Sequence, residues 1–148
     1  MRKLLFLDFD GVLHAEGEEP LARLPLVEQC LLALPHLDIV ISSAWRHGHS
    51  FEALRSLFSP PLRPRVVGMT PILPDGLRPG GRRREIEAFL ASEQACSWVA
   101  LDDMPELFAP ADPHLIWVDP LAGFTDREGD ALRTWYHSNQ VPKPLHSL

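Results

Sequence analysis

The chain has 148 residues, with 20 acidic and 14 basic side chains and a formal net charge of −6. That length holds one ordinary domain rather than two, and a composition of 45% hydrophobic and 23% charged residues excludes wholesale disorder. The acidic balance excludes a protein that coats duplex nucleic acid, which needs a positive excess to displace counterions, but it leaves room for a local basic site.

Residues 3–9 form a short apolar run that ends in acid and predict a buried strand. This start imitates a signal peptide, but Asp8 and Asp10 cut the apolar run too early for one. No stretch approaches the ~20 apolar residues of a membrane span. Cys30 and Cys96 are too few for a disulfide framework and lack metal-site spacing. These features together point to the cytoplasm. Leu21, Leu24, Val27, Leu31 and Leu34 share one helical face, with Pro25 in the first turn and Pro35 as the stop. A second strand follows at 37–41, a helix at 50–58 and a weak third strand at 65–69. Six of the 15 prolines fall between Pro60 and Pro79, which marks a constrained loop region around that strand. The breaker Pro79-Gly80-Gly81 precedes a helix at 84–90. A strand at 98–101 ends in Asp102-Asp103, and another at 115–118 ends in Asp119. The last helix spans 125–136, where Thr125 and Glu128 have the offset of a capping box. One domain is expected over 1–140, followed by an extended tail at 141–148.

Strands alternate with helices throughout, so the fold class is α/β: a three-layer α/β/α sandwich around a mainly parallel five-stranded sheet. Ligands of such sheets bind beyond the carboxyl ends of the strands. Three predicted strands deliver polar residues there: Asp8 and Asp10, Ser42 and Ser43, and Asp102 and Asp103. Four converging carboxylates repel one another unless some protonate or a cation intervenes. Mg²⁺ takes oxygen ligands, keeps several waters and often shares phosphate oxygens, so the cluster implies Mg²⁺ and with it a phosphate.

The run Asp8-Phe9-Asp10-Gly11-Val12-Leu13 resembles the first motif of the haloacid dehalogenase-like (HAD) hydrolase superfamily. Ile39-Val40-Ile41-Ser42 is similar to its second motif, the Arg82-Arg83-Arg84 run to its third and Val99-Ala100-Leu101-Asp102-Asp103 to its fourth. The order is the required one, and the likeness covers nearly the whole chain. Ser42-Ser43-Ala44-Trp45-Arg46, Arg82 with Glu85-Ile86, and Gly123-Phe124-Thr125 look like a small subgroup that includes phosphatase-like domains of RNA-repair proteins. The resemblance implies a Rossmann-like fold and a Mg²⁺-dependent phosphatase. In that scheme Asp8 is the nucleophile that forms an aspartyl-phosphate, and Asp10 is the general acid and base. Metal ligands are Asp8, the Asp10 carbonyl and Asp102, with Asp103 direct or through water. Ser42 binds the phosphoryl group, and Arg82 neutralises it, with Arg84 the other candidate.

Other polar residues keep two readings each. Ser43 is a turn hydroxyl or a substrate ligand. Arg46 contacts substrate or braces an acid, and Arg84 contacts substrate or is a solvated charge at a helix start. Trp45 packs or stacks a base. His14 is a loop residue or a catalytic one, and His47 and His49 are read as turn residues. The longest unclaimed piece, 70–81, is too short for a cap domain, so the site is open and can admit a nucleotide or the phosphorylated end of a nucleic acid. Six arginines stand against Asp75 alone between Pro60 and Arg84, which suggests a basic flank for such an end. The alternative is a domain that binds a phosphorylated end without hydrolysing it. The sequence names neither the oligomeric state nor any protein partner.

Overall fold

The computed structural model describes residues 2–94 and 96–138. The tail expected at 141–148 lies outside the described residues, as do the last two residues of the domain expected over 1–140. Among those described, no helix is long and apolar enough to cross a membrane.

Five strands form one sheet: β1 (Arg2–Leu7), β2 (Leu37–Ile41), β3 (Val66–Met69), β4 (Cys96–Asp102) and β5 (Leu115–Trp117). Their order is β3-β2-β1-β4-β5 and every pairing is parallel. The helices are α1 (Leu24–Leu32), α2 (Phe51–Arg55), α3 (Gly81–Leu90) and α4 (Asp126–Ser138). Side chains alternate across a strand, so β1 feeds two cores. Leu5 and Leu7 pack with Val27 and Leu31 of α1, Leu54 of α2 and Leu132 of α4. Leu4 and Phe6 face the other way and pack with Ile86 of α3, Trp98, Leu107 and Phe108. Helices thus cover both faces, and the expected three-layer α/β/α sandwich is the observed fold, with no cap domain among the described residues.

The boundaries move where loop chemistry overrides periodicity. The α1 pattern was expected from Leu21, but Leu21 takes φ +64° and the helix starts three residues later. In α3 the shift runs the other way. Gly80, at φ +76°, caps the helix in the left-handed region, and Gly81 opens it. A side chain on Gly81 would run into the backbone of Gly76. Those glycines therefore start the helix rather than break it, and they put Arg82 in its first turn instead of before it. The 125–136 helix keeps its cap: Glu128 Oε1 accepts from the Thr125 amide (2.7 Å) and hydroxyl (2.6 Å).

Candidate active site

The three central strands end side by side. Leu7 of β1 pairs with Ile41 of β2 and Leu101 of β4. The pairing continues one residue further, because the Asp8 amide donates to the Leu101 carbonyl (3.1 Å) and the Ser42 amide donates to that of Leu7 (2.9 Å). Asp8 therefore sits between Ser42 and Asp102, as the strand order requires. Gly11, at φ +78°, turns the chain away immediately afterwards. A side chain there would collide with the Asp103 carboxylate, so the close approach of Asp103 depends on this glycine.

Ligand oxygens of Asp8, Asp102 and Asp103 lie within 4.8 Å of one another. Arg82 is the cation that reaches them. Its Nη1 donates to Asp102 Oδ2 (2.7 Å) and to the Ser42 carbonyl (3.2 Å), and it stands 3.4 Å from Asp8 Oδ1. One guanidinium does not balance three carboxylates. Burial, reinforced by the charge of Asp102, holds the Asp8 carboxyl well above its usual range. Burial likewise pushes Asp102 up to about 6 despite its contact with Arg82. Burial lowers the Arg82 pKa, but the charges of Asp102 and Asp8 outweigh it and raise the value overall. Two buried polar atoms beside this cluster, Ser42 Oγ and Arg82 Nε, have no hydrogen-bond partner among the described residues. Buried orphans of this kind usually await a ligand or water. Under-neutralised hard oxygen donors fit a divalent cation, and the orphan hydroxyl and guanidinium NH fit an oxyanion.

Asp10 stands apart from the three. Its side chain is 60% exposed. Oδ1 accepts from the indole of Trp45 (3.0 Å) and lies 3.0 Å from His14 Nε2. The expectation for Asp10 as a metal ligand concerned its carbonyl; its carboxylate faces the rim.

Other candidates take different places. Ser43 Oγ caps the 3₁₀ turn Ala44–His47 by accepting from the Trp45 amide (3.1 Å), which makes it a turn hydroxyl. Arg46 is buried and its donors are taken by the Ser43, Thr70 and Pro71 carbonyls, the Thr70 hydroxyl and Glu85 Oε1 (3.0 Å). It braces the segment after β2, the 70s loop and α3. Arg84 pairs with Asp75 (2.9 Å) and the Pro79 carbonyl, so of the two candidate arginines it is Arg82 that reaches Asp8. The basic flank is largely spent as well. Arg65 donates to the Leu31, Leu34 and Leu37 carbonyls, at the end of the sheet opposite the aspartates. Arg63 donates to the Ser56 and Phe58 carbonyls. His49 stacks on Trp45 at 5.7 Å, so one face of that indole is covered.

Glu85 and Thr70 were not singled out for their own chemistry. Glu85 holds Arg46 and also accepts from the Leu73 amide (3.0 Å). The apolar Ile86 beside a charged Glu85 was the available signal: helix α3 buries both. A cavity of about 140 Å³ beside Arg82 is lined by Arg46, His47, Ile72, Leu77 and Glu85.

The sequence model of the family described as "HAD domain in Swiss Army Knife RNA repair proteins" matches residues 4–128, most of the chain. No curated protein and no solved structure matches it.

Proposed function

The chain belongs to the family of HAD domains in Swiss Army Knife RNA repair proteins, and on that premise we propose that it is a Mg²⁺-dependent phosphatase that removes a monoester phosphate from a nucleotide or nucleic-acid end. The observation that carries this reading is the placement of a buried Asp8 between Asp102 and a Ser42 hydroxyl that has no hydrogen-bond partner among the described residues, with Arg82 at 3.4 Å. Asp8, Asp102 and Asp103, with the Asp10 carbonyl, would hold Mg²⁺, which supplies charge neutralisation for the carboxylates and the phosphoryl oxygens.

The chain's own residues divide the work. An Asp8 oxygen attacks phosphorus and the ester P–O bond breaks, leaving an aspartyl-phosphate. Asp10 protonates the departing oxygen, then takes a proton from the water that hydrolyses the intermediate. Ser42 Oγ and the Arg82 guanidinium bind the equatorial oxygens, where negative charge spreads in the transition state. An exposed Asp10 on a capless rim suits a substrate attached to a larger body. The family's RNA-repair context favours nucleic-acid ends among such substrates.

The test is phosphate release with and without Mg²⁺ from 5′- and 3′-phosphorylated oligonucleotides, nucleotides, phosphopeptides and sugar phosphates. Wild type turns over nucleic-acid ends or nucleotides best, and Asp8→Asn loses at least about a thousandfold. Tight binding of a phosphorylated end without turnover would establish the non-hydrolytic alternative instead.

A further inference from the structure

Asp10 is held by two side chains to which the scheme above gives no part. Its Oδ1 lies 3.0 Å from both the Trp45 Nε1 and the His14 Nε2. An indole N–H can only donate. The imidazole could do either, but its other nitrogen decides the matter: the Leu21 amide donates to His14 Nδ1 (3.1 Å). Nδ1 must therefore be the bare acceptor, and Nε2 carries the hydrogen and donates to Asp10. The opposite tautomer would set two N–H groups against each other at Leu21 and a lone pair against the carboxylate.

The support for this tautomer is built into the backbone. Leu21 presents its amide from φ +64°, a left-handed conformation that residues with side chains rarely adopt. The 10–14 turn is fixed at both ends. The Leu13 amide donates to the Phe9 carbonyl (2.8 Å), the Arg23 amide to that of Leu13 (2.7 Å) and the Phe124 amide to that of Val12 (2.9 Å). The indole is equally constrained. Phe9 meets it edge-on at 5.3 Å, His49 stacks on it, and its own amide is tied to Ser43 Oγ.

We propose that His14 and Trp45 are positioning residues for Asp10: both donate to Oδ1, so Oδ2 alone carries the transferable proton, and the site is thereby fitted to alkyl rather than aryl phosphate esters. The proposal rests on the phosphatase reading. Two N–H groups on Oδ1 make it the carbonyl-like oxygen of the neutral acid. Nothing among the described residues bonds Oδ2, which is free to face the substrate on the exposed rim. In the first half-reaction an Asp8 oxygen bonds to phosphorus and the ester P–O bond breaks. Its electron pair stays on the leaving oxygen, which takes the Oδ2 proton and departs as a neutral alcohol, leaving Asp10 ionised. In the second, Oδ2 takes a proton from water, the water oxygen bonds to phosphorus, and the Asp8 O–P bond breaks. Inorganic phosphate leaves, with Asp8 a carboxylate and Asp10 an acid again. An alkoxide leaves poorly without that proton, whereas a nitrophenolate leaves well unaided, so the device matters only for alkyl esters such as the phosphorylated ribose of a nucleic-acid end.

The experiment compares kcat/KM for a 5′-phosphorylated oligonucleotide and for para-nitrophenyl phosphate, both with Mg²⁺, because kcat/KM isolates the step that expels the leaving group. Trp45→Phe keeps the aromatic packing and removes the donor; His14→Leu removes the other. Each is expected to lose roughly ten- to a hundredfold on the oligonucleotide and less than about threefold on the aryl ester. His14→Gln, whose amide can accept from Leu21 and donate to Asp10, is expected to recover most of the oligonucleotide rate. Equal losses on both esters, or His14→Gln no better than His14→Leu, would overturn the proposal while leaving the phosphatase reading intact if Asp8→Asn is inactive. Wild type inert on both esters, or Asp8→Asn as active as wild type, would overturn the phosphatase reading and this proposal with it.

Discussion

Arg82 and Arg83 are chain neighbours, each pairs with a buried aspartate, and the two pairs come out opposite. Arg83 Nη1 donates to Asp112 Oδ2 at 2.6 Å, and the Ala109 and His114 amides donate to the same carboxylate. Burial works against the Asp112 charge, but these donors win and hold its pKa below the usual value. Arg82 lies just as close to Asp102, at 2.7 Å, yet Asp102 is pushed up to about 6. The difference is first burial, the largest cause at Asp102, to which the charge of Asp103 adds, whereas the three donors around Asp112 outweigh its burial. A carboxylate that serves the fold has its hydrogen bonds supplied by the fold. The carboxylates of the site are short of positive charge and sit beside a hydroxyl with no hydrogen-bond partner among the described residues. That shortage is what a cation and a phosphoryl group would fill.

The comparison breaks first on the arginines. Arg82→Ala is expected to cost about a hundred- to a thousandfold in phosphate release, while Arg84→Ala stays within about twofold of wild type under the same assay. Equal losses would dissolve the distinction between site and scaffold. Next, Asp112→Asn should destabilise by about 1–3 kcal/mol through lost charge-assisted bonds and leave activity per folded molecule unchanged. Thermal melts and rates on the same sample separate the two effects. Gly11→Ala sets a side chain against Asp103 and strains a left-handed turn, so its Mg²⁺ affinity, read by titration calorimetry, should fall by about tenfold.

The smallest effect is a pH dependence with opposite signs at the two aspartates. Asp102 binds its proton more readily folded than unfolded. In chelator-treated protein it therefore adds stability as pH falls from about 6 towards 4, and costs stability above that window. Asp112, pulled down from 3.8, contributes stability above that value and loses it only as pH falls through its lower folded value. Between pH 7 and 5 the melting temperature of chelated wild type should thus gain roughly a few degrees on that of Asp102→Asn. With Mg²⁺ present the trend should reverse, because a cation needs the ionised carboxylate.

Much of this was legible in the chain itself. Apolar runs that end in acid located β1 and β4, and the strand–helix alternation gave the sheet class, because burial on both faces writes itself into consecutive residues. Pairings between distant residues were not legible. Arg46 and Glu85 are 39 positions apart, and Trp45 and Asp10 are 35 apart; only the strand order brings them together. The arginine-rich stretch misled for a related reason. Composition counts charges but not the carbonyls they cap, and Arg63 and Arg65 spend theirs on the backbone. The glycines at the start of α3 read as a break because close backbone approach, which only a residue without a side chain permits, leaves no local pattern. Asp10 and His14 are four apart and could have suggested a contact, but not which ring nitrogen carries the hydrogen.

The most direct measurement of the central claim is an acid-quenched single turnover with a substrate labelled in its phosphate, followed by peptide mapping. Label on the peptide that contains Asp8, absent from Asp8→Asn and discharged by water in the wild type, is the predicted result. Turnover with label on another residue, or with no protein-bound label at any quench time, would contradict it.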